Sequence, residues 1–250
     1  MMSGLFVKLG ELAEAGKDNL TFIGVSVVII AVLFAAAILA EKFILKQPAG
    51  TVKSVRYMAI CGLMSALAVI LMMFEIPLFF APSFYEIDFS EVPVLIGAFS
   101  LGPVAGVIIE LCKILLKLLI KGTTTAFVGD LSNFMLSCML VVPASVIYHF
   151  HKSKKSAVIG LFTGTAVMTA VGSVFNAVYL LPKFSQLYGI PLDGLVAMGH
   201  EINDVMTMVL FAVVPFNILK GALVTVITMV LYKRISPLLK ASGVRRRVSA

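Results

Sequence analysis

Charged residues are scarce in this chain of 250 residues. Asp, Glu, Lys and Arg make up 13% of the sequence, hydrophobic residues make up 60%, and the mean hydropathy is +1.06. A soluble domain of ordinary composition carries about 25% charged residues. Several apolar runs approach the ~20 residues that cross a bilayer as a helix, and helices satisfy their own backbone hydrogen bonds in lipid. The composition therefore excludes a soluble domain and predicts an all-α, polytopic membrane protein.

Other absences narrow the chemistry. Tryptophan is missing, so any aromatic recognition has to come from Phe and Tyr. The three cysteines, Cys61, Cys112 and Cys138, lie in apolar runs at no metal-ligand spacing, which favours packing roles and predicts no metal site. The patterns G-x-x-x-x-G-K-[ST] and H-E-x-x-H occur nowhere in the chain. We therefore expect neither an ATPase site nor a zinc protease of that kind.

The net charge of +7 does not indicate nucleic-acid binding, because the basic residues gather at the ends of the apolar runs. Their distribution favours seven crossings, with the N-terminus outside and the C-terminus in the cytoplasm, by the positive-inside rule. The cytoplasmic side would receive most of them: Lys42, Lys46, Lys53, Arg56, Lys152, Lys154, Lys155, Lys233, Arg234, Lys240, Arg245, Arg246 and Arg247. The outer side would receive Lys8, Lys17, Lys121 and Lys183.

The first apolar run, residues 20–40, stands apart from the others. Acidic residues precede it where a signal peptide would be basic, so a retained helix is favoured over a cleaved leader. A basic linker, residues 42–56, separates it from the remaining runs. We expect an extra N-terminal transmembrane unit (residues 1–46) that ligand binding does not require, a substrate-binding membrane domain (52–236) and a basic cytoplasmic tail (237–250).

Small residues line one face of the second run, residues 58–74. Ala59, Gly62 and Ala66 follow a helical spacing, and such a face lets another helix approach closely. The pattern fits docking of a separate subunit and packing within the same bundle equally well.

The following loop, residues 75–91, is too long for a simple connection and carries several carboxylates. Glu86 and Asp88 could meet a ligand on the outer side. The alternative is a solvated turn in which Ser90 caps the next helix.

An interrupted apolar segment, residues 92–120, is typical of helices that line a cavity in transporters. Its second half carries Glu110, Lys113 and Lys117 along one stripe. An intrahelical Glu-Lys pair with lysines that snorkel to the interface explains this stripe. Asp130 is expected at the start of the next helix as a capping acceptor.

A lone amide, Asn176, lies deep in the run 160–181, where interhelical hydrogen bonding is its ordinary role. The segment 182–204 is expected to be a loop. Its His200 and Asp204 have no further metal ligand near them in sequence and are interpreted as solvated.

The last apolar run, residues 205–231, contains Asn217 and Lys220 three residues apart on one helical face. A lysine inside hydrocarbon costs roughly 2.5–3.5 kcal/mol on the lenient insertion scale. It snorkels to the interface, pairs with a carboxylate elsewhere in the bundle, or forms the floor of a ligand pocket with Asn217. In the last case the lysine is solvated when the site is empty, so its loss would spare the fold.

Taken together, these segments resemble the riboflavin-specific S component of energy-coupling factor (ECF) transporters. The resemblance runs in register from about residue 52 to 236, and several separated motifs carry it: LMMFEIP at 71–77, IDFSEVP at 87–93, LGPVAGV at 101–107, ELCK at 110–113 and PFNILKG at 215–221.

The resemblance implies a six-helix bundle in a bacterial cell membrane that captures riboflavin on the outer side and works with a transmembrane T component and two cytoplasmic ATPases. It is silent about the helix at 20–40. It implies that Asn176, Asn217 and Lys220 contact the flavin, and it points to Glu86 and Asp88 in the loop that closes over the ligand.

The resemblance also implies a docking face for the T component. The corresponding residues here are Ala59, Gly62 and Ala66, with a glycine where the family more often has alanine.

Other functions remain open at this stage. The same scaffold could take another vitamin, such as thiamin, biotin or a related precursor. An intramembrane enzyme is a further alternative, although Asp130 and Asp204 lie at helix ends and do not face one another within the membrane. A structural adaptor would leave Asn217 and Lys220 without a role.

Overall fold

Seven helices form the described part of the chain, residues 20–46, 55–78, 85–123, 125–189 and 204–242 of a computed structural model. In chain order they are α1 (Leu20–Leu39 and a π-helical turn, Ala40–Ile44), α2 (Val55–Met72), α3 (Glu91–Leu101), α4 (Pro103–Ile120), α5 (Val128–His151), α6 (Lys154–Phe175, a π-helical turn Asn176–Leu180, and Leu181–Tyr188) and α7 (Val205–Met208, a π-helical turn Val209–Val213, and Val214–Ser242).

Five of these helices are long and apolar enough to span a membrane: Gly24–Ile44, Val55–Met72, Val128–His151, Lys154–Leu187 and Val205–Tyr232. The two others are α3, which has 11 residues, and α4, which carries the charged stripe. Almost all of α3 is buried among its neighbours. The prediction of an all-α polytopic membrane protein with an interrupted segment at 92–120 is confirmed.

One predicted helix end is wrong. The chain was expected to leave the helix at Pro182, but α6 continues to Tyr188. Pro182 is the second residue after the π-helical turn and lies in the first turn of the next segment, where its missing N–H is tolerated. His200 lies outside the described residues. Asp204 is exposed, as expected, and forms a capping box with Thr207 at the start of α7.

The loop between α2 and α3 folds back on itself as a short antiparallel hairpin. Strand β1 (Ile76–Pro77) pairs with β2 (Glu86–Ile87), with Ile76 opposite Ile87 and Pro77 opposite Glu86. The hairpin returns the chain to the bundle at Tyr85, which is buried. Residues 79–84 lie outside the described residues.

Helices α5 and α6 pack closely and run in opposite directions. A Cβ atom added to Gly160 would lie 2.6 Å from the carbonyl oxygen of Ala144, and Gly164 faces the carbonyl oxygen of Leu140 in the same way. Small residues permit this backbone contact. The close packing fixes Asn176 on α6 relative to the polar residues of α5.

Helix α1 packs against α4 and α5 through Leu33 and Ala37, both buried. The Glu41 carboxylate accepts a hydrogen bond from the backbone N–H of Val104, at 2.9 Å, in the first turn of α4. This contact satisfies one of the N–H groups that a helix start leaves unpaired. The extra helix is therefore joined to the bundle by packing and by this polar contact.

Candidate ligand pocket and buried charge cluster

A pocket of about 100 Å³ lies where β2, α5, α6 and α7 meet. Four of the five predicted ligand contacts line it: Glu86, Asn176, Asn217 and Lys220. The fifth, Asp88, is buried and pairs with Lys220. Asn176 and Asn217 thus line the same cavity although they are 41 positions apart along the chain. The end of the hairpin loop, at Glu86, lines it as well.

The two asparagine side chains are positioned by their own helices. Asn176 begins the π-helical turn of α6, and its Nδ2 donates to the carbonyl of Gly172 at 2.7 Å. Asn217 Nδ2 donates to the carbonyl of Val213 at 3.0 Å. A Cβ added to Gly172 would lie 3.2 Å from Asn217 Nδ2, so this glycine lets α6 and α7 bring both amides together. π-Helical turns are frequent at functional sites.

The amide oxygens of Asn176 and Asn217 differ in whether they accept a hydrogen bond. Tyr85 donates its hydroxyl hydrogen to Asn176 Oδ1 at 2.5 Å, and its ring packs against Phe216 with centroids 5.3 Å apart. Within the described ranges, no group donates to Asn217 Oδ1. A ligand donor can therefore reach Asn217 directly, whereas it has to displace Tyr85 to reach Asn176.

Lys220 is both an ion-paired lysine and a residue of the pocket lining, which are two of the roles that the sequence left open. It lines the pocket, and its Nζ lies 3.1 Å from Asp88 Oδ2 and 2.9 Å from Glu91 Oε1. Although burial opposes ionisation, Lys220 and Lys113 hold the pKa of Asp88 well below its usual value. Lys220 is thus a paired cation at the edge of the pocket, and the expectation of a lysine solvated in an empty site is wrong.

Lys113 and Glu110 extend these pairs into a buried charge cluster, which we define as Asp88, Glu91, Glu110, Lys113 and Lys220. Lys113 Nζ lies 2.5 Å from Glu110 Oε1 and 3.9 Å from Glu91 Oε1. All five residues are at most 6% exposed. Three carboxylates against two ammonium groups leave a formal charge of −1 in the cluster.

Neutral groups surround the cluster. Lys113 donates to Ser90 Oγ at 2.9 Å and to Asn133 Oδ1 at 3.0 Å, while Ser137 donates to Glu91 at 2.7 Å. Asn133 and Ser137 also line the pocket, so the cluster and the pocket share a wall. The Ser90 side chain does not cap α3, contrary to that alternative.

The charged stripe of α4 is paired inside the protein. The predicted intrahelical pair of Glu110 and Lys113 is present, but neither lysine snorkels, because the face of α4 that carries them is buried against other parts of the bundle. Lys117 pairs with Asp130 at 2.5 Å, and Thr123 donates to the same carboxylate at 2.8 Å. Asp130 therefore lies in the first turn of α5, as expected, but its carboxylate holds Lys117.

Sequence patterns did not identify Tyr85, Glu91, Lys113 or Ser137 as parts of this site. Glu91 and Lys113 were visible as charges in an apolar context, which was the available signal. Tyr85 carried no signal beyond its place in a long loop. No group of three or more metal-ligating side chains occurs in the part of the chain that the structure describes.

The small-residue face of α2 is open. Ala59, Gly62 and Ala66 are all exposed, and a Cβ added to Gly62 would meet nothing within 4 Å. Packing within the bundle, one of the two interpretations of this face, is therefore not observed among the described residues.

Comparison with known proteins places this fold. The family model described as "ECF transporter, substrate-specific component" matches residues 56–232. The riboflavin transporter RibU of Staphylococcus aureus (strain TCH60) is 33% identical over 179 residues, which cover 72% of this chain and 89% of that protein. The riboflavin transporter FmnP of Bacillus subtilis (strain 168) is 28% identical, with 73% and 93% covered.

A solved structure shows the same architecture. It is described as "Structure and mechanism of the S component of a bacterial ECF transporter", and it superimposes with a TM-score of 0.60 at 33% sequence identity, covering 74% of this chain and 98% of its own. Helix α1 precedes the matched region. Transport subunits make up this family, so the prediction that the chain is not an enzyme is confirmed. The family match covers most of the chain and agrees with the helical bundle: the protein belongs to the substrate-specific components of ECF transporters.

Proposed function

We propose that this chain binds riboflavin in the pocket between β2, α5, α6 and α7 and delivers it for import. The observation that carries the proposal is the convergence of Asn176, Asn217 and Lys220 on one cavity. The names of the relatives, all riboflavin transporters, support the same ligand over thiamin or biotin.

The polar groups suit the isoalloxazine ring. Its imide N–H needs an acceptor, which Asn217 Oδ1 supplies, and its carbonyl edge needs donors, which Asn217 Nδ2 and Lys220 Nζ supply. Leu136, Met168 and Phe216 add apolar surface to the same cavity. A few aimed polar groups in an apolar slot are typical of small-molecule sites. The ribityl hydroxyls would find an acceptor in Glu86.

The pocket has to enlarge before a flavin enters it. Its volume of about 100 Å³ is smaller than the ~300–1,000 Å³ common for sites of drug-sized ligands. We expect Tyr85 to move, because it belongs to the hairpin loop and its hydroxyl group is hydrogen-bonded to the Asn176 side chain that the ligand has to reach.

The direct test is titration of the purified protein with riboflavin, followed by quenching of flavin fluorescence. We expect saturable quenching that excess thiamin or biotin does not reverse. Asn217→Ala should weaken binding about two- to tenfold through loss of a neutral hydrogen bond, whereas Gln186→Ala, on an exposed part of α6, should not. Saturable binding of thiamin or biotin without riboflavin binding would refute the assignment.

Tyr85→Phe is expected to tighten riboflavin binding by up to about tenfold. The variant removes a hydrogen bond, worth roughly 0.5–1.5 kcal/mol, that the empty protein makes and the ligand has to break. Tyr179→Phe, a tyrosine of α6 outside the pocket lining, is the matched control. Weaker binding by Tyr85→Phe in the same fluorescence titration would mean that the hydroxyl contacts the flavin.

Import also requires partners, and we propose a T component and two ATPases. The open face of Ala59, Gly62 and Ala66 is the candidate docking surface for the T component. We expect Gly62→Leu to bind riboflavin normally yet abolish uptake in cells, since the larger side chain prevents close helix contact. Leu63→Ala, on the exposed surface beside it, is the control. Uptake into vesicles that contain only this chain would contradict the partner requirement.

We also propose that the N-terminus lies outside and the basic C-terminal tail in the cytoplasm. Helix α7 extends to Ser242, and residues 243–250 lie outside the described residues. Lys152, Lys154 and Lys155 occur at the end of α5 and α6 that is opposite the pocket, which supports an outward-facing pocket. In intact cells, an impermeant maleimide should label Gln186→Cys and leave Lys152→Cys unmodified.

The unit comprising residues 1–46 is proposed to be dispensable for ligand binding, because the family match begins after it. Its deletion should leave riboflavin affinity within about threefold but lower stability, since loss of a cap like Glu41 alone costs roughly 0.5–2 kcal/mol. Glu41→Ala in the full chain should reproduce part of the lower melting temperature, and Lys42→Ala should not. A correctly inserted deletion that no longer binds riboflavin would show that α1 shapes the pocket.

A further inference from the structure

A second cavity, of about 590 Å³, lies at the end of α5 and α6 opposite the riboflavin pocket. The helices are joined there by a connection of only two residues, Lys152 and Ser153. Ile147, Phe150 and Ile159 form an apolar wall, while His151, Ser153 and Lys155 form a polar rim. We call this cavity the α5–α6 groove.

The charge around the α5–α6 groove is of one sign. Lys152, Lys154 and Lys155 are all exposed. The sequence contains no acidic residue between Asp130 and Asp193, and none of the three lysines forms a salt bridge within the described ranges. Their positive charge is therefore available to an anionic ligand.

The apolar wall of the groove is open as well. Phe150 is 54% exposed and Ile159 is 46% exposed, and both belong to helices that span the membrane. The wall thus continues the surface that faces the acyl chains, and the lysines lie at its end, at the level of lipid headgroups. An amphipathic anion matches this arrangement better than a soluble one.

We propose that the α5–α6 groove binds one anionic phospholipid, with an acyl chain along Ile147, Phe150 and Ile159 and the phosphate near Lys154 and Lys155. Basic pockets between membrane helices bind anionic headgroups in this way. An acidic peptide segment could neutralise the lysines, but it would not cover the apolar wall, which would remain in contact with lipid. The site is separate from the riboflavin pocket and does not depend on the identity of the transported ligand.

The test uses the full chain purified in detergent. Native mass spectrometry should show retention of one phosphatidylglycerol and no phosphatidylcholine, and phosphatidylglycerol should raise the melting temperature. The variant Lys154→Gln/Lys155→Gln should lose about 25-fold in phosphatidylglycerol affinity, at about fivefold for each lysine near the headgroup. It should bind riboflavin as the unmodified protein does, which verifies its fold.

Two further variants make the result specific. Lys121→Gln/Lys183→Gln removes the same charge at the other end of the bundle and should keep full phosphatidylglycerol affinity. Phe150→Gln should weaken phosphatidylglycerol binding because it interrupts the apolar wall. Equal lipid affinity of the two lysine double variants would overturn the proposal. Competition by glycerol phosphate or by an acidic peptide at the concentration of the lipid would overturn it too, since the acyl chain would then contribute nothing.

Discussion

Replacing Lys220 with methionine is expected to weaken riboflavin binding and to destabilise the protein at the same time. Loss of a charge-assisted contact to the flavin should cost about 1.5–3 kcal/mol, which is roughly ten- to hundredfold in affinity. Loss of the ion pairs should cost more. Asp88 and Glu91 are both buried, and breaking a buried pair typically destabilises by about 3–5 kcal/mol, because a charge is left without a partner.

This expectation replaces one drawn from the sequence, in which truncation of Lys220 spared the fold. The two contributions can be separated with a second substitution. Lys220→Met combined with Glu91→Gln removes one uncompensated carboxylate and should recover part of the melting temperature, but it should not restore riboflavin quenching. If Lys220→Met lowered neither the melting temperature nor the riboflavin affinity, the ion pairs and the binding role would both be wrong.

Lys113→Met is expected to lower the stability of the protein strongly with little effect on riboflavin binding. Lys113 is fully buried and does not line the pocket, yet it contacts Glu110, Ser90 and Asn133. The variant takes the charge cluster from a formal −1 to −2, so we expect a loss of about 3–5 kcal/mol. Heat or denaturant unfolding in detergent measures it, and riboflavin affinity of the remaining folded protein should change less than in Lys220→Met.

The control for Lys113 is a lysine whose ion pair faces solvent. Lys121 pairs with Glu75 and its side chain is 42% exposed, and exposed pairs contribute about 0–1 kcal/mol. Lys121→Met should therefore change the unfolding free energy by less than 1 kcal/mol. Similar losses of unfolding free energy for Lys113→Met and Lys121→Met would show that burial does not determine how much the ion pairs contribute to stability.

The resemblance to riboflavin-specific S components supplied Asn176 and Glu86 as ligand contacts. Sequence reasoning itself predicted the membrane class, the helix at residues 20–40 and the pair of Asn217 and Lys220 from local patterns: apolar length, helical spacing, and rare polar groups in apolar runs. It did not reach the partner of Lys220, because nothing near that lysine indicates a carboxylate 132 positions earlier. Whether Lys113 and Lys117 meet lipid or protein likewise depends on which helices surround α4, and the spacing within α4 is the same in both cases.

The end of α6 was missed for a different reason. Pro182 is a strong local signal for a helix end, and the π-helical turn that allows the helix to continue has no recognised sequence pattern. That turn also begins with Asn176, so the irregular backbone that made the helix end unpredictable is the backbone that positions a site residue.

The separation of Lys220 from Asp88 sets an order of events during synthesis. Ribosomes add roughly 5–20 residues per second, so Asp88 emerges about 7–26 s before the ammonium group of Lys220 that pairs with it. An ionised carboxylate is costly in hydrocarbon during that interval, and the hairpin loop should stay in water or the Asp88 carboxylate should carry a proton. If the loop stays in water, a ribosome stalled after α6 should hold a chain whose hairpin loop is still exposed to proteases, and release of α7 should protect it.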